Sequence, residues 1–144
     1  MIKQSIALAA AAAVGIPLAG GAAEMERTPA PDGANVYIIT PNDGEQVTSP
    51  LTVRFGATGI GIAPAGVDHD KTGHHHLLVD TGMPNLNSPI PSDAKHLHFG
   101  GGQTETTVEL EPGRHTLQLL LGDARHIPHA PPVASEKITV TVVE

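Results

Sequence analysis

Proline and glycine, 13 and 16 residues of the chain, fall at such short intervals that long helices are excluded. What lies between them alternates. Leu51, Val53 and Phe55 stand against Thr52, Arg54 and Gly56, and Ile138, Val140 and Val142 stand against Thr139 and Thr141. This is the two-residue period of half-buried strands. Val36–Thr40 is a β-branched run closed by Pro41-Asn42-Asp43-Gly44, a turn in which proline fixes φ and glycine accepts positive φ. Further strands are expected at His74–Asp80, His96–Phe99, Thr106–Leu110, His115–Leu121 after the Pro112–Gly113 turn, and Lys137–Val143. About seven short strands over about 110 residues predict an all-β fold, an immunoglobulin-like antiparallel β-sandwich spanning residues 35–144.

Two segments precede that domain. Residues 1–23 have the layout of a secretory signal peptide: Lys3, an apolar run from Ile6 to Leu18, then Gly21-Ala22-Ala23 as small cleavage-site residues. The run is shorter than the ~20 residues a membrane span requires, and no cysteine follows it to carry a lipid anchor. Residues 24–34, with Pro29, Pro31 and Gly33, are expected to form a flexible tether. The expectation is a periplasmic or secreted protein with no membrane insertion. The chain's net charge of -7 becomes one unit more negative once Lys3 is removed. Such a chain repels phosphate backbones and attracts cations, so nucleic acid is excluded as a partner.

With no cysteine, the domain must be held by its core, without disulfides or thiolate ligands. It does have nine histidines, and they are grouped. Neutral imidazole is the commonest protein ligand for transition metals. Strand parity puts His74 and His76 on one face and His96 and His98 on one face. In a sandwich of this class the third strand neighbours the next-to-last one. That places His74 beside Leu121 and the following loop, which carries His126 and His129. The candidate ligands are therefore His74, His76, His98, His126 and His129, with His96 and His69 as alternates. They are expected at one end of the sandwich, where imidazoles from the rims of both sheets bridge the ~10 Å gap.

The opposite parity turns His75 toward the core with Leu77 and Val79, where it is expected to bond a carbonyl. His115 falls at the far end beside Asp80, and a structural His115–Asp80 hydrogen bond is expected there. An imidazole-rich site near Asp68, Asp70 and Asp123, without thiolate, suits copper(II), zinc or nickel; raw affinity favours copper(II), and zinc with three or four nitrogen ligands is equally drawable.

Gly100-Gly101-Gly102 is read as a turn. The nucleophile elbow that an oxyanion-loop reading needs is absent, and so is the phosphate-loop spacing. Four stretches occur in order: Gly73-His-His-His-Leu-Leu-Val-Asp80, His96-Leu-His-Phe-Gly-Gly-Gly-Gln-Thr-Glu105, Pro112-Gly-Arg-His-Thr-Leu-Gln-Leu119 and Gly122-Asp-Ala-Arg-His126. Together they resemble a bacterial family of small exported domains known only as a domain of unknown function. The resemblance runs from Val36 to Val143. It implies an exported all-β domain standing alone after a signal peptide, with no activity to carry over. The family pattern includes the histidine matched by His115, which keeps a role for that residue open.

The leading expectation is a histidine-rich domain that holds copper(II) or zinc for storage, buffering or delivery. Its alternative is an interaction module with structural histidines that meets a periplasmic protein partner. A metal-dependent enzyme with an open coordination position ranks third.

Overall fold

The computed structural model describes residues 10–15 and 25–144. The expected signal segment 1–23 lies outside the described residues except for 10–15, and so does Glu24. Nine strands follow: β1 (Asn35–Thr40), β2 (Gln46–Thr48), β3 (Leu51–Thr58), β4 (Gly61–Ile62), β5 (Thr72–Val79), β6 (His96–His98), β7 (Glu105–Val108), β8 (Gly113–Gly122) and β9 (Ile138–Val143). There is no helix among the described residues. The sheets pack as a β-sandwich. One has the order β1-β3-β7, and the other runs β2-β9-β8-β5-β4 with β6 also paired to β5.

Two features depart from an all-antiparallel, seven-stranded expectation. β2 runs parallel to β9, and β4 runs parallel to β5. These extra strands have three and two residues, too few for a periodic pattern to register. Tertiary bonds direct β2. Gly44 N–H donates to the Thr139 carbonyl at 2.7 Å, and Asp43 Oδ1 accepts from Thr139 N at 2.8 Å. The turn after β1 is thereby fixed to the start of β9.

The main core lies between the sheets, where Val53 and Phe55 of β3 meet Leu77, Val79, Leu117, Leu119, Leu121, Val140 and Val142. These are alternate residues of their strands, so burying one set forces the other outward. On β5 the outward set is His74, His76 and Leu78. Leu78 is nonetheless buried, packed with Ile90 and Leu120 in a second, smaller cluster on the outer face of the larger sheet. The segments after β5 and β8 thus fold back over that face. All of β5 from Gly73 to Val79 is buried.

Within the expected tether, residues 26–30 lie against the domain. Ala30 N–H donates to the Ala130 carbonyl and Ala130 N–H to the Thr28 carbonyl, both at 2.9 Å. Arg27 donates to the carbonyls of Pro128 and His129, and Arg125 donates to the Glu26 carbonyl. Composition there is polar and rich in proline, but unpaired carbonyls on the 128–130 segment offer an edge that the arm satisfies.

Candidate metal centre

β5 is paired on both sides at the histidines. Antiparallel pairing with β8 sets His74 opposite Gly122 and His76 opposite Leu120. Antiparallel pairing with β6 sets His76 opposite His98 and Leu78 opposite His96. Directly opposed residues of an antiparallel pair share a face. His74, His76 and His98 therefore emerge together on the outer face of the larger sheet. The expectation of imidazoles bridging the gap between the sheets is corrected here, because that gap is filled by leucine, valine and phenylalanine.

His126 arrives from the loop after β8, which turns back within five residues. Asp123 N–H donates to the Ile127 carbonyl and His126 N–H to the Asp123 carbonyl, both at 2.9 Å. The buried Asp123 carboxylate holds the turn from inside. Oδ1 accepts from the backbone N–H groups of Arg125 (2.8 Å) and Ile127 (3.0 Å). Oδ2 accepts from Thr28 Oγ1 (2.8 Å) and Arg125 Nη2 (3.2 Å). His126 itself adopts φ of 66°, a left-handed conformation uncommon outside glycine. The close approach also explains Gly122. A Cβ there would stand 2.9 Å from His76 Cε1 and 3.2 Å from His126 Cα, so a side chain would push the His76 ring and the His126 backbone away.

The result is a four-imidazole cluster. One ring nitrogen from each of His74, His76, His98 and His126 lies within 4.8 Å of the other three. His74 Nε2 stands 3.0 Å from His126 Nδ1 and 3.2 Å from His98 Nε2. A neutral ring nitrogen carries either one proton or one lone pair, so His74 Nε2 satisfies only one of these two neighbours. His76 Nδ1 is buried with no hydrogen-bond partner. His74 and His76 are buried, His126 is partly exposed and His98 is exposed, so the cluster opens to solvent on one side.

The electrostatics keep His74, His76 and His98 neutral. Burial, with His126 and His98 adding repulsion, lowers His74 from 6.5 to about 4. Burial, with His74, His98 and His126 adding repulsion, lowers His76 to about 3. His98 is also lowered, by desolvation and then by His126. Neutral imidazoles with convergent nitrogens present lone pairs, which is what a transition metal requires.

The other predicted ligands lie elsewhere. His129 is buried outside the cluster and donates from Nε2 to the Thr72 carbonyl at 3.2 Å. The bridge between Gly122 and Pro128 turns the chain after His126, so a three-residue spacing does not bring both rings to one point. His96 donates from Nδ1 to Asp93 Oδ1 at 2.7 Å. Exposed His69 donates from Nδ1 to the Asp70 carbonyl at 3.0 Å. His75 is fully buried against Phe55, its ring centroid 5.0 Å away, and burial lowers it to about 4. Neither of its nitrogens has a partner, so the expected carbonyl bond is corrected: the ring sits against Phe55 in the apolar core.

At the far end, His115 Nδ1 lies 2.7 Å from Asp80 Oδ2 and Nε2 lies 2.7 Å from the Glu111 carbonyl. Both nitrogens face acceptors, the environment of an imidazolium, and the Asp80 bond raises His115 above its usual value. The residue that sequence reasoning underused is Asp123, noted only as a nearby carboxylate. Its place directly after Gly122 and three residues before His126 is the local signal of a carboxylate closing a tight turn.

No curated protein and no solved structure matches the chain. Residues 53–143 match the model of a family described as Domain of unknown function (DUF4399). That span contains β5, β6, β8 and the whole four-histidine cluster, and the chain belongs to this family.

Proposed function

We propose that this domain binds a transition metal ion, copper(II) or zinc, through His74, His76, His98 and His126, and acts outside the cytoplasm as a metal holder. The observation that carries this reading is the convergence of four imidazole nitrogens within 4.8 Å, two of the rings being buried. Burying histidines that do not complete their own hydrogen bonds costs free energy. A metal ion offsets that cost because it takes up the lone pairs the protein leaves without protons. The open side at His98 and His126 gives the ion a way in and out, which suits buffering or delivery.

Calorimetric titration of the untagged protein with zinc and copper(II) tests the proposal. One ion per chain is expected, with His74→Ala and His98→Ala weakening binding at least tenfold and His96→Ala leaving it unchanged. Binding no tighter than that of a surface histidine pair, or equal loss from His96→Ala, would end the reading.

A further inference from the structure

The shape of the cluster selects among metals. Six ring-to-ring distances define it. The centroids of His74 and His76 are 4.8 Å apart, His74 and His98 5.0 Å, His74 and His126 5.0 Å. The pairs His76–His98, His98–His126 and His76–His126 measure 5.1, 4.7 and 6.1 Å. A square arrangement has two long diagonals, each about 1.4 times its sides. Only one distance here is long. If His76–His126 were one diagonal, His74–His98 would have to be the other, and at 5.0 Å it is no longer than the sides.

The two closest nitrogen pairs, both on His74, agree with the rings. With metal–nitrogen bonds of about 2.0–2.1 Å, tetrahedral nitrogens stand about 3.3 Å apart, whereas opposite corners of a square stand about 4.1 Å apart. His74 Nε2 and His98 Nε2, the pair a square would hold across its diagonal, are 3.2 Å apart. The scaffold fixes this. His76 and His98 are cross-strand partners, and His74 follows two residues from His76 on the same strand. His126 enters from the side on a loop closed by Asp123.

We infer that the cluster is a tetrahedral four-nitrogen site whose fitting ion is zinc(II), and that it holds copper(II) only in a geometry forced away from square-planar. The inference rests on the metal-binding reading above and narrows it. Copper(II) exceeds zinc in intrinsic affinity for nitrogen ligands, so the tetrahedral frame acts against that order and reduces copper's advantage. Tetrahedral zinc with four closed protein ligands is also the pattern of a holding site, since no position is left for substrate.

Cobalt(II) chloride added to the untagged full chain reads the geometry directly. Intense visible d–d absorption is expected, abolished by one equivalent of zinc and absent in His74→Ala and His98→Ala chains that keep the wild-type circular dichroism. In the copper(II)-loaded protein, electron paramagnetic resonance should show a parallel hyperfine splitting clearly smaller than that of a square-planar four-imidazole complex. A pale, six-coordinate cobalt spectrum, or a full-sized copper splitting, would overturn the tetrahedral assignment while leaving metal binding intact. Failure of the wild-type chain to take up any of the three ions would overturn the metal-binding proposal itself.

Discussion

Asp123 is the residue whose loss should travel furthest. Its buried carboxylate closes the loop that carries His126 and joins that loop to Thr28 of the N-terminal arm. Asp123→Ala removes four acceptor contacts at once. Solvent can replace those to Arg125, which is half exposed, so they count for little. The Ile127 N–H is fully buried, and stranding a buried donor costs roughly 1–3 kcal/mol. Losing the bond from Thr28 to a charged acceptor adds about 1.5 kcal/mol. The expected total is about 3 kcal/mol. Asp123→Asn keeps one carbonyl oxygen for the Ile127 and Arg125 amides and should lose about half as much.

The pH dependence has a fixed sign. Burial pushes Asp123 upward, but the bonds from Thr28, Ile127 and Arg125 together outweigh it and hold the carboxyl below its usual 3.8. A lowered carboxyl contributes fully above the unfolded value and loses its contribution as pH falls through the folded one. The gap between wild type and Asp123→Ala should therefore be constant above about pH 5 and shrink below about pH 4. Urea unfolding followed by far-ultraviolet circular dichroism measures it, since the chain has no tryptophan. Zinc affinity should fall about 10–100-fold in the same variant, the usual consequence of removing a group that orients a ligand. An unchanged urea midpoint at pH 7 would refute the account of the loop, and an unchanged affinity would refute the link from loop to His126.

Three further outcomes are expected. His75→Leu should raise the metal-free melting temperature, because it replaces two partnerless buried nitrogens with apolar volume against Phe55, a gain of about 1–3 kcal/mol; a lower melting temperature would show that the ring has a partner. His115→Ala should cost up to about 1 kcal/mol, because Asp80 is partly exposed. His115 is raised, so that cost should be full below pH 6.5 and fade as pH rises through its folded value; urea midpoints at pH 5.5 and pH 9 measure this, and an equal cost at both contradicts it. Arg27→Ala should release residues 26–30 and speed amide hydrogen exchange at Ala30 and Ala130 with little change at β3; unchanged exchange would mean the arm is held by its backbone pairing alone.

Much of this molecule could be read from residue order. Proline and glycine spacing excluded long helices, and the two-residue alternation identified the major strands. Parity on β5 separated His74 and His76 from His75 because successive side chains of a strand must face opposite ways. That relation is local, so the sequence carries it. The short parallel strands β2 and β4 were not legible, since two or three residues have no period and are placed by distant hydrogen bonds.

The limits at the site follow the same division. Which histidines share a face was decided by sequence. Which face that is, and that it is the outer side of the larger sheet, was decided by how the two sheets pack. His126 joins the cluster and His129 does not, although both lie in one loop, because the loop closed by Asp123 bridges back at Pro128, between the two. The near-tetrahedral arrangement of the rings depends on the register of β5 with β6 and on a loop held by an arm about 95 residues earlier in the chain. Register and loop closure are set by long-range hydrogen bonds and by burial, which no local spacing encodes. The sequence by itself determined that this chain would present convergent histidines; only the tertiary structure determined which four, and in what shape.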